Sequence, residues 1–180
     1  MSRLPRLLLA ALPLLAGPAL GQEDRFENEP PGFTPFREAV AFGDLTGDAV
    51  PAADASVDGC RVTFITRAVA PDLGVPLTLT VTADATQLDY AQWAPEVSED
   101  RVTAMLPSAA PVALHMSIST GDDAVRSVFT EALPARCSQT GCEATVPSPG
   151  FAFIVYERGF DVARGARDAL RAYAATCAEG

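Results

Sequence analysis

Between Cys60 and Tyr156 apolar and polar residues alternate with a period of two, and proline or glycine breaks the alternation every few residues. Only a pleated strand puts neighbouring side chains on opposite faces, so the pattern predicts short strands with one face on a core. Cys60, Val62, Phe64, Thr66 and Ala68 form one set, against Arg61, Thr63, Ile65 and Arg67 in the other. Residues 76–83 repeat the pattern with Leu77, Leu79 and Val81 facing one way, and further strands are predicted over 87–93, 101–106, 112–119, 125–131, 142–146 and 151–156. The period changes near the end of the chain. Val162, Ala166, Ala169, Leu170, Tyr173 and Cys177 recur at helical spacing, and Asp161 is placed to cap the helix they define. The expected fold is therefore mainly β, an antiparallel sandwich or a curved sheet, with one C-terminal α-helix packed on it; an α+β arrangement is the alternative.

The start of the chain reads differently. Arg3 and Arg6 precede an apolar run over 7–15, and Ala19-Leu20-Gly21 supplies the small residues of a signal-peptidase site. Residues 1–21 are predicted to be a cleaved export signal, because the run is too short to span a bilayer of about 30 Å. The protein is expected in the periplasm, with secretion as the alternative. Residues 22–58, rich in acidic residues, Pro and Asp, are read as a flexible arm and loop, and residues 59–180 as a single disulfide-stapled domain.

Charge narrows the partners. The signal segment holds two of the 13 basic residues and none of the 23 acidic ones, so its removal moves the formal charge from −10 to −12. That sign argues against nucleic acid and anionic lipid, both of which attract basic clusters. No later stretch is long and apolar enough for a transmembrane segment.

In an oxidising compartment the four cysteines are expected to pair. Three connectivities are possible. Loop closure favours Cys137 with Cys142 across a polar turn containing Gly141, which leaves Cys60 to join Cys177 and fasten the last helix to the first core strand. A redox role is disfavoured by the four intervening residues, and a zinc site by the single histidine.

Other chemistry-bearing residues are few. Asp44, Thr46 and Asp48 have the alternating oxygen spacing of a calcium loop, but Ala49 and Ala52 stand where the loop needs Gly and a carboxylate. An Asp-rich solvated turn explains them as well. His115 lies in a strand-like segment, where it and Met116 point to opposite faces and cannot share a copper ion. No Gly-x-Ser-x-Gly elbow accompanies it. Arg164, Arg167 and Arg171 make a basic stripe that could hold an anionic partner, although Asp168 is within pairing reach of Arg164 and Arg171. Asp122 and Asp123 fall in a turn, and Tyr90 and Trp93 flank a polar segment as rim packing or an interaction surface.

Leu106-Pro107, the apolar strand over 112–119, the Cys137 to Cys142 segment with Gly141, and Gly159-Phe160 occur in an order that resembles the invasion-associated locus B family of exported alphaproteobacterial proteins. The likeness covers less than half the chain. The family's Trp-x-x-x-Cys opening is missing from the first half, and Cys177 is additional. The resemblance implies a β-sandwich-like exported domain without enzymatic residues, engaged in host-cell association or envelope function.

Together these readings lead to an exported, non-enzymatic protein that binds a protein, peptide or envelope component, with no catalytic residue assigned and no cofactor called for. Two alternatives are a small metal-dependent or hydrolytic enzyme using His115 with Asp44, Asp48 or Asp122, and a calcium-stabilised adhesion module. Composition leaves the oligomeric state open.

Overall fold

Strand pairing joins the alternating segments into one antiparallel sheet of seven strands, in the order β1-β2-β3-β5-β7-β6, with β4 beside the first half of β5. The strands are β1 (Ala52–Asp58), β2 (Arg61–Val69), β3 (Pro76–Asp84), β4 (Ala94–Val97), β5 (Arg101–Ser119), β6 (Arg136–Cys137) and β7 (Gly141–Tyr156). Among the described residues three α-helices accompany them: α1 (Thr34–Val40), α2 (Asp123–Ala132) and α3 (Phe160–Cys177). This arrangement is a computed structural model that describes residues 29–178; the export signal read over 1–21 and the first residues of the arm lie outside the described residues.

Two long strands give the sheet its shape. Segments 101–106 and 112–119, read as separate strands, are one strand whose register against β7 shifts between Pro107 and Val112; 142–146 and 151–156 are likewise continuous. Pro107, Pro111, Pro147 and Pro149 gather at this bend, where a lost backbone donor does least damage to the ladder. The sheet consequently folds over itself as the layers of a sandwich would, and it does not close into a barrel. At the overlap, the hydroxyls of Tyr156 on β7 and Thr66 on β2 share a 3.2 Å hydrogen bond, and Thr66 also donates to the Ala52 carbonyl at 3.2 Å. Among the described residues Thr66 is the buried polar residue of an otherwise apolar core, and these bonds satisfy it.

The bend depends on a missing side chain. A Cβ on Gly150 would lie 2.1 Å from the Leu106 carbonyl oxygen, whereas one on Gly165, inside α3, would meet nothing within 4 Å. Gly150→Ala is expected to lower stability by about 1–3 kcal/mol through backbone displacement. Gly165→Ala should raise it by about 0.5–1 kcal/mol by removing helix-interior glycine. Urea midpoints check both, and shifts of the same sign would refute the close-approach reading.

Several sequence expectations require correction. Residues 34–40 and 52–58 were expected in a flexible arm, yet they form α1 and an edge strand. Phe33, Phe36 and Val40 recur at helical spacing and are 0% exposed in the main core. Phe36 packs edge-on to Phe153 at 5.5 Å, and Phe33 edge-on to Tyr173 of α3 at 5.3 Å. Segment 125–131 is helical, so the C-terminal helix is one of three α-helices among the described residues. Asp122 caps α2 by accepting from the Ala124 amide at 2.8 Å, and Val125, Phe129 and Leu133, four residues apart, pack on Ile118, Cys142 and Ala144. Segment 87–93 is a turn: Asp84 accepts from the Thr86 amide, Asp89 from the amides of Ala91 and Gln92, and only Leu88 makes a bridge, to Ser108. Finally, α3 begins at a Gly159 cap. Asp161 sits in its first turn without capping it.

Candidate functional site

Helix α3 divides cleanly into two faces. Ala163, Ala166, Leu170, Tyr173 and Ala174 are buried against the sheet and α1, a stripe with spacings of three and four residues. Two tyrosines anchor this packing. Tyr173 donates to the Gly59 carbonyl at 2.6 Å, and Tyr90 donates to the Ala85 carbonyl at 2.8 Å. Burial, reinforced by Asp84, pushes the Tyr90 phenol well above its ordinary pKa; burial and then Asp58 raise that of Tyr173.

The other face carries the basic stripe, and it meets the turn before β4. Trp93 lies 5.4 Å from the ring of Phe160, the first residue of α3. The Arg167 guanidinium stands 4.7 Å over Trp93, and that of Arg164 5.9 Å from the Phe160 ring centre. A ladder of cation, indole, phenyl and cation results. Asp168 accepts from Arg167 at 2.6 and 3.0 Å, and Asp161 accepts from Arg164 at 2.7 Å. The pairing expected between Asp168 and Arg164 or Arg171 is thus replaced by nearer partners. Arg171 is exposed and makes no ion pair among the described residues. Phe160 keeps 41% of its surface exposed, an uncommon place for a large apolar side chain. The role of Phe160 was not evident in the sequence, because its neighbour Trp93 is 67 positions away.

The cysteines form two bridges. Cys60 joins Cys177 with a Cα–Cα distance of 5.3 Å, fastening the end of α3 beside the start of β2, and Cys137 joins Cys142 at 4.0 Å within the β6–β7 hairpin.

Most of the residues considered for calcium or hydrolysis are engaged with local partners. Asp44 accepts from both the amide and the hydroxyl of Thr46, at 2.8 and 2.6 Å, and the hydroxyl bond foremost holds its carboxyl below the usual range. Asp48 lines a cleft together with Arg67 and Thr78. Asp122 is occupied as the α2 cap, and Asp123 pairs with Arg126. Among the described residues His115 makes one side-chain bond, between its Nδ1 and the Thr145 hydroxyl at 3.2 Å. Among the described residues no three His, Cys, Asp or Glu side chains are grouped to hold a metal ion.

Strand register builds a second feature on the sheet's polar face. Arg67 stands opposite Thr78, Thr78 opposite Ser117, Ser117 opposite Glu143, and Glu143 opposite Arg136. The five residues come from five strands and form one transverse row. Beside it, Arg67 donates to the carbonyls of Leu45, at 3.3 Å, and Gly47, holding the 43–50 loop against the sheet.

Fold and site together define a disulfide-stabilised, sheet-dominant domain with no metal or catalytic cluster detected among the described residues. None of the helices there is long and apolar enough to cross a membrane. Compared with family models, curated proteins and solved structures, the chain matches none.

Proposed function

We propose that this chain is an exported, non-enzymatic binding domain that recognises a protein or peptide partner through the outer face of α3. One observation carries the reading: the half-exposed ladder of Arg167, Trp93, Phe160 and Arg164. Trp and Arg dominate the residues whose truncation costs protein interfaces most, because they offer large rigid area and directional charge together. Packing Arg against the rings also fixes side chains that would otherwise lose entropy on binding. The export signal read over 1–21 and two disulfides support action outside the cytoplasm. The likeness to the invasion-associated locus B family supports an envelope or cell-surface partner.

The test compares the wild-type protein with Phe160→Ala and Arg171→Glu as bait for partners from the native envelope. Both residues are exposed, so circular dichroism and thermal midpoint should stay near wild type. Recovery of the bound partner should fall roughly tenfold in each variant. Equal recovery by all three baits would reject the α3 face, and detection of the protein only in the cytoplasm would reject the export reading.

A further inference from the structure

The transverse row on the sheet's polar face is the floor of a cavity of about 700 Å³, within the range of ligand sites. Its walls are built to stay in place. On one side Arg67 pins the 43–50 loop, which contributes Asp48. On the other, the hairpin is closed by the Cys137–Cys142 bridge and by the Ser138 amide on the Gly141 carbonyl at 2.8 Å. The Arg126 guanidinium of α2 donates to the Gln139 carbonyl at its tip, also at 2.8 Å. A bridge closing so short a loop adds less to global stability than the long one does, and it also holds this rim.

Within the row, four polar side chains are left for a ligand. Arg136 and Glu143 stand directly opposite one another but do not pair, and Thr78 and Ser117 make no side-chain hydrogen bond among the described residues. No aromatic side chain lines the cavity, and its apolar lining is limited to Pro76, Ile118 and the disulfide, which disfavours flat hydrophobic ligands. Strands about 4.8 Å apart put the backbones of Arg67 and Arg136 about 19 Å apart over four steps. A single small anion could engage one end only.

We propose that this cavity binds an acidic saccharide chain of the uronic-acid type. A carboxylate suits the guanidinium of Arg136 at one end, whereas at the other Arg67 is engaged with the loop carbonyls and shares the wall with Asp48, so sugar hydroxyls belong there. Sugar hydroxyls between them suit Thr78 and Ser117, which both donate and accept, and Glu143, which accepts. The site lies on the sheet and hairpin, apart from the residues of the α3 face, and does not depend on that reading.

Isothermal titration of the oxidised protein with trigalacturonate, monomeric galacturonate and maltotriose tests the assignment. The trimer should bind, weaken with added salt, and lose affinity roughly tenfold in Arg136→Gln and severalfold in Ser117→Ala. Phe160→Ala should bind it as the wild type does. Arg136 is exposed and makes no side-chain hydrogen bond or ion pair among the described residues, so Arg136→Gln should fold normally, as its thermal midpoint will report. Failure of the trimer to bind, equal binding of maltotriose, equal binding of the monomer, or an unchanged affinity in Arg136→Gln would each overturn the proposal.

Discussion

Phe36→Ala is expected to destabilise the protein by about 3–5 kcal/mol, the usual cost of truncating a fully buried phenylalanine. The side chain is 0% exposed and touches the rings of Phe33, Phe151 and Phe153 at centroid distances of 5.5, 6.4 and 5.5 Å. Its loss removes both the transfer energy of the ring and the contacts that hold α1 between β7 and α3. For a chain of this size the shift corresponds to roughly 10–15 °C in thermal midpoint. The measurement also separates two views of residues 22–58. Were the segment around Phe36 a mobile arm, its truncation would leave the midpoint within about 1 °C. Scanning calorimetry of the oxidised protein decides between them.

Replacing Cys60 and Cys177 together by Ser should cost about 2–5 kcal/mol. The bridge spans 117 positions, so in the chain-entropy view it removes much of the freedom of the unfolded state, close to 5 kcal/mol. The Cys137–Cys142 bridge spans five positions, and its removal should cost about 2 kcal/mol at most. The double variants therefore predict an order, with the long bridge contributing more to the guanidinium midpoint than the short one. Equal shifts would mean that the unfolded chain is already compact around Cys60 and Cys177, or that the tether opposes native packing. Hydrogen exchange adds a local readout. Without the long bridge, amides in the last turns of α3 should exchange faster while those of β5 and β7 keep their protection.

How much was legible beforehand varied with the range of the interactions involved. Period two in 60–68 and 76–83 follows from alternate burial, and β2 and β3 occupy those positions almost to the residue. The helical stripe over 162–177 was equally plain, because spacings of three and four residues are local. Segment 125–131 misled because its valines, phenylalanine and threonine favour strands, although Val125, Val128 and Phe129 stand at helical spacing. The Asp122 cap and a small apolar cluster under the helix decided for α2. Residues 34–40 misled for the opposite reason. Their Pro and acidic surroundings resemble a loop, and Phe33, Phe36 and Val40 are too few to stand out before the aromatic cluster that receives them is known.

The sequence by itself determined the alternation that makes a one-sided sheet, the amphipathic final helix, the arginine stripe along it and the thiols available for bridging. All of these depend on residues within a few positions of one another, or on composition alone. Tertiary structure decided the rest: the bend at Gly150 that turns one sheet into two facing layers, the contact of Trp93 with Phe160, and the row from Arg67 to Arg136 across five strands. Those features depend on strand register and packing, which balance energies over the whole core, so no short stretch of residues contains them.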